Sequence, residues 1–97
     1  MTRRRYLVAY DIADDKRWRA VYDVVRSHGD RLQYSVYLCD LSPTEQIKLK
    51  GALRDVINHR LDRVAIIDLG DVEPSWRGAI EFMGSSLPLP DTGPIIV

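Results

Sequence analysis

An uncharged run from Tyr6 to Tyr10 closes on a carboxylate, Asp11. Such a run predicts a strand buried on both faces, because a half-exposed strand alternates with polar residues. A carboxylate left unpaired within it is costly to bury, so Asp11 belongs at the strand's exposed end or beside a cation. Asp14 or Asp15 then caps a helix whose positive N-terminal dipole favours acid. Trp18, Val21, Tyr22 and Val25 recur at i, i+3, i+4 and i+7, the apolar stripe of that helix, and Gly29 stops it. Residues 31–40 alternate, with Leu32, Tyr34, Val36 and Leu38 on one side and Arg31, Gln33, Ser35, Tyr37 and Cys39 on the other. This pattern fits one bent strand or a tight hairpin broken near Tyr34-Ser35.

The second helix has the clearest start signal: Ser42-Pro43-Thr44-Glu45 forms a capping box with proline at the first helical position. Its apolar face continues through Leu49, Leu53, Val56 and Ile57 and fades at Asn58-His59. Val64 to Ile67 is a short β-branched run that predicts a buried strand ending near Asp68-Leu69-Gly70. Ala79 to Met83 is a candidate for a further strand, stopped by Gly84. Residues 87–94 carry three prolines and a glycine and predict an extended linker. Ile95-Ile96-Val97 is strongly strand-forming and needs a sheet edge, for which a partner subunit's edge is a good candidate.

The order strand, helix, strand or hairpin, helix, strand implies an α+β sandwich of the ferredoxin-like βαββαβ kind, both helices on one face of the sheet. One domain over residues 1–86 is expected, followed by a tail over 87–97. The opposite sheet face would be bare, and sheet-to-sheet dimerisation would cover it.

Composition narrows the function classes. The chain has 97 residues, enough for one small domain that gains from dimerising. Lys plus Arg and Asp plus Glu are equal at 14 each, so no global positive field draws in nucleic acid, although a local basic patch is open to it. Seven arginines, at 3, 4, 5, 17, 19, 26 and 31, fall in the first third and favour phosphate, whose oxygens match their forked donors. A lone cysteine, Cys39, excludes an intramolecular disulfide and a cysteine-rich zinc site, which suits a cytoplasmic protein. No apolar run reaches the ~18 residues of a membrane span, and the basic lead is followed by too short an apolar stretch for a signal peptide.

Tyr6-Leu-Val-Ala-Tyr-Asp-Ile12, the following Asp14-Asp15, a basic first helix, Arg31-Leu-Gln-Tyr-Ser-Val-Tyr37 and a capped second helix together resemble the Cas2 family of CRISPR-associated proteins. The resemblance covers roughly residues 5–70. It implies ferredoxin-like homodimers in which a strand-end aspartate from each subunit meets near the twofold axis. It further implies metal-dependent nuclease activity on RNA or double-stranded DNA, spacer acquisition in antiviral defence, a partnership with the integrase Cas1, and a C-terminal strand exchanged between subunits. Asp11 matches the aspartate, and Tyr10 the residue before it, as the catalytic pair. Arg17, Arg19, Arg31 and Tyr37 match the positions associated with nucleic acid, Tyr37 standing where phenylalanine is common.

The chemistry is coherent with that likeness. Magnesium or manganese, being hard, takes oxygen ligands and keeps several waters, so two Asp11 carboxylates brought together by symmetry suffice where one is a poor site. Plainer readings stand beside each assignment. Asp11 could simply cap the next helix, Arg17 and Arg19 could be a solvated helix face, and Arg31 could pair with Asp30 or Asp40. Tyr37 is as readily sheet packing as a base-stacking platform. A scaffold that holds DNA and bridges Cas1 subunits is the competing function. Trp18 and Tyr22 belong to the core, His28 and His59 to helix C-termini, and Cys39 lacks the histidine that would activate a thiol.

Overall fold

Alternation along the strands decides the architecture. In the computed structural model, which describes residues 3–72 and 80–84, β1 (Arg4–Asp11) buries Tyr6, Val8 and Tyr10 while Leu7 and Ala9 are only half-buried. The strand is therefore covered on one face, not two as its uncharged run suggested. The apolar residues on its second face lie on the sheet surface that neither helix covers.

Helix α1 (Asp15–Arg26) starts on Asp14, whose side chain accepts from the Arg17 amide at 3.0 Å, and buries Val21, Tyr22 and Val25. Strands β2 (Asp30–Gln33) and β3 (Val36–Leu41) form a hairpin closed by Tyr34 and Ser35, which resolves the alternative left open by periodicity. Ser35 takes φ +62°, a left-handed conformation uncommon outside glycine. Helix α2 (Pro43–Val56) carries the reciprocal capping box of Ser42 and Glu45 and buries Leu49 and Leu53. Strand β4 runs from Arg63 to Asp71, longer than the four-residue run from Val64 predicts because it pairs along the whole of β1, and more exposed because it is an edge of the sheet. Residues 80–83 form no strand, and Phe82 and Met83 are exposed. Ala79 and the tail with Ile95-Ile96-Val97 lie outside the described residues.

The sheet order is β2-β3-β1-β4, antiparallel in its three pairings, the ferredoxin-like arrangement expected. Its helix-facing side packs Tyr6, Val8, Tyr10, Tyr37, Cys39 and Leu41 against the two helices. On the other side the ladders place Leu7 beside Leu38 and Ile67, and Ala9 beside Val36 and Ala65. Arg5 and Asp40, opposite each other in the ladder, form an ion pair at 3.0 Å in which the arginine is buried. No described helix is long and apolar enough to cross a membrane.

Candidate functional site

Asp11 is the last residue of β1 and is exposed, opposite Arg63 in the ladder. Strand alternation puts it on the side of Leu7 and Ala9, away from the helices. It is a single hard-oxygen donor: among the described residues no group of three or more His, Cys, Asp or Glu side chains is placed to hold a metal ion. The donor set of one protomer is thus incomplete, and a divalent ion fits only if a second Asp11 joins the first.

Tyr10 points the opposite way. It is 6 % exposed and packs against Tyr37, with ring centroids 6.4 Å apart, and against Trp18 at 6.2 Å. Burial pushes its hydroxyl up to about 12, with Arg31 and Ser35 as polar neighbours acting the other way. Tyr10 therefore sits within the aromatic packing on the helix-covered side of the sheet, on the side opposite Asp11. Tyr37 is fully buried within the same helix-facing core, the sheet-packing alternative for this residue.

The arginines part company. Arg17 is held by Asp62 through Nε at 2.8 Å and Nη2 at 3.3 Å, and the Asp62 side chain is fully buried. The Arg17 hydrogen bond, helped by the Ala13 and Asn58 amides, holds the Asp62 carboxyl well below the usual range. Asp62 thus occupies two of the Arg17 donors, Nε and Nη2, while the side chain keeps some exposure. Arg19 is exposed on the same helix and makes no ion pair among the described residues. Arg31 lies over the rings of Tyr22 and Tyr34, at 5.9 and 5.8 Å from their centroids.

Most of the early basic cluster is also paired. Arg3 meets Glu45, Arg4 meets Asp68 and Asp71, Arg5 meets Asp40, and Arg26 lies near Asp23. The concentration of arginine in the first third therefore does not become a bare cationic patch.

Two features escaped the sequence reading. Asp62 gives no local signal, because its ion-pair partner is 45 residues away in the chain. Tyr34, 44 % exposed, stacks on Trp18 with centroids 5.3 Å apart, and Trp18 stacks on Tyr22 at 5.2 Å. The Trp18 indole donates to the Ser35 hydroxyl at 3.3 Å, so the strained turn and the aromatic group are joined. The adjoining Ser35 carbonyl accepts from the Tyr10 amide at 3.0 Å, which places this turn at the end of β1 that carries Asp11.

Residues 4–74 match the family model described as CRISPR associated protein Cas2. A Geobacter sulfurreducens protein named CRISPR-associated endoribonuclease Cas2 is 40 % identical over 68 residues, covering 70 % of this chain and 72 % of that protein. A Rhodospirillum rubrum protein of the same name, numbered 1, is 41 % identical over 68 residues, covering 70 % and 67 %. Among solved structures, Streptococcus pyogenes Cas2 superposes with a TM-score of 0.72 at 29 % identity, covering 82 % of this chain and 99 % of that one. A hypothetical protein from Thermus thermophilus matches with the same TM-score at 30 % identity, covering 90 % and 99 %.

Proposed function

Because this chain belongs to the Cas2 family of CRISPR-associated proteins, we propose that it is a metal-dependent endoribonuclease of the CRISPR system that works as a homodimer in the cytoplasm. The observation that carries the reading is Asp11: an exposed carboxylate at a strand end, on the sheet face that neither helix covers. That face displays Leu7, Ala9, Val36 and the half-exposed Ile67, an apolar surface suited to a second copy. Two Asp11 side chains gathered there repel each other without a cation, which favours metal capture. Magnesium or manganese bound between them would supply charge neutralisation and an acidified water. Arg19, exposed on α1, and Arg31, steadied by its aromatic neighbours, supply the guanidinium donors for the sugar-phosphate backbone.

Pure protein incubated with labelled RNA and with duplex DNA, with and without magnesium, tests this beside Asp11→Ala. RNA cleavage that needs the metal and disappears in the variant supports the reading. Cleavage that persists unchanged in Asp11→Ala belongs to a contaminant and ends it.

A second reading has its own support. The ion-paired arginines and zero net charge suit a scaffold that shares its DNA contacts with a basic partner, Cas1 in this family. On that reading the protein co-purifies with Cas1, and Asp11→Ala leaves spacer capture intact.

A further inference from the structure

We propose that Asp62 is the positioning residue for Asp11, a buried carboxylate that fixes the path of the chain as it leaves β1. The inference rests on the nuclease reading for its consequence, but its geometry is independent of it. The two Asp62 oxygens gather three separate pieces of the fold. Oδ1 accepts from the Ala13 amide at 2.9 Å and from Arg17 Nη2 at 3.3 Å, while Oδ2 accepts from Arg17 Nε at 2.8 Å and from the Asn58 amide at 2.7 Å. Ala13 lies two residues beyond Asp11, Arg17 sits in the first turn of α1, and Asn58 begins the connection from α2 to β4. Asp62 also directly precedes Arg63, the ladder partner of Asp11.

The site is built for a carboxylate. All four contacts are N–H donors, two of them from a cation, and the side chain is closed to solvent. Its own loop is braced, since the Asn58 side chain accepts from the Arg60 and Leu61 amides and the Asn58 carbonyl accepts from the Asp62 amide. Asp11 has no hydrogen bond or ion pair from its own side chain among the described residues, so its direction depends on the backbone on either side of it. On one side stands the β1 ladder, and on the other the Ala13–Asp62 bond. A metal-binding pair needs its oxygens placed to a fraction of an ångström, which makes this second anchor consequential.

An asparagine at 62 keeps the size but turns one acceptor into a donor aimed at Arg17 and at either the Ala13 or the Asn58 amide. In the full-length dimer, Asp62→Asn is expected to lower the kcat of RNA cleavage roughly 10–100-fold while KM stays level. Amide exchange at Ala13 and Asn58 should quicken, and the Asp11 backbone and carboxyl NMR resonances should move. Asp23→Asn, which removes only an exposed contact to Arg26, should change none of these. Arg17→Lys keeps the charge and loses the fork, so it should shift the same signals by less and serves if Asp62→Asn does not fold. A rise in KM at constant kcat in Arg17→Lys would show that Arg17 acts on the nucleic acid itself and overturn the proposal. Unmoved Asp11 resonances would overturn it whether or not the protein cleaves RNA. A wild-type protein that cleaves nothing defeats the nuclease reading alone, since the exchange and resonance measurements still decide the role of Asp62.

Discussion

Tyr37 lies nearly parallel to Tyr10, their planes 22° apart and centroids separated by 6.4 Å, on the helix-covered side of the sheet. Asp11, the next residue after Tyr10, occupies the opposite side. The strand thus separates a packed aromatic floor from an exposed carboxylate within one peptide unit. Truncating a fully buried aromatic typically costs about 3–5 kcal/mol, so Tyr37→Ala should fall in that range by chemical denaturation. Tyr37→Phe should leave RNA affinity unchanged in a binding titration. A marked loss of affinity in a folded Tyr37→Phe would show that the Tyr37 hydroxyl takes part in binding RNA.

Acid stability should break below about pH 4. Asp62, Glu45 and Asp68 all have carboxyl groups held below their ordinary values in the folded protein. The first causes are the Arg17 hydrogen bond for Asp62, the Ser42 amide for Glu45 and the Arg4 hydrogen bond for Asp68. A depressed folded pKa contributes stability that is fully present above the unfolded value and is lost as pH falls toward the folded one. Urea midpoints should therefore be insensitive to these groups from neutrality to mild acid, then drop. Glu45 and Asp68 are partly exposed and contribute less through solvent screening, so Asp62→Asn should flatten the drop most.

Gly29 should not tolerate alanine. A Cβ built there meets the Leu38 carbonyl and the Cys39 sulfur, both on β3, and the carbonyl cannot swing away without breaking strand geometry. Overpacking of this kind costs about 1–3 kcal/mol, readable as a lowered denaturation midpoint for Gly29→Ala. Gly51→Ala is the control. Nothing lies within 4 Å of its Cβ position, and alanine in a helix interior is favoured over glycine by about 1 kcal/mol, so that variant should gain stability.

Cys39 should be inert in the native protein. It is fully buried, and burial, reinforced by Asp40 and Asp30, pushes its thiol up to about 12. Alkylation by iodoacetamide near neutral pH should wait on unfolding, with the rate rising in step with denaturant. Prompt labelling of folded protein would contradict this placement.

The elements and their order were legible in the chain because they rest on local rules. The stripe from Trp18 to Val25, the Ser42–Glu45 box and the break at Tyr34-Ser35 all depend on neighbours within a few residues. His28 and His59 met the last carbonyls of their helices, at Val24 and Arg54, for the same reason. Asp11 at an exposed strand end was legible too, from the cost of burying a lone charge. What the sequence could not decide was which strand face the helices cover and which arginines remain available. Tyr6 to Tyr10 looks uniformly apolar in one dimension, yet only packing sends Tyr10 inward and leaves Leu7 and Ala9 outside. Arg17 and Arg19 stand two positions apart on one helix, yet Asp62 claims only the first. Ion pairs and close packing join residues far apart in the chain, and their energies exist only once the fold has brought those residues together.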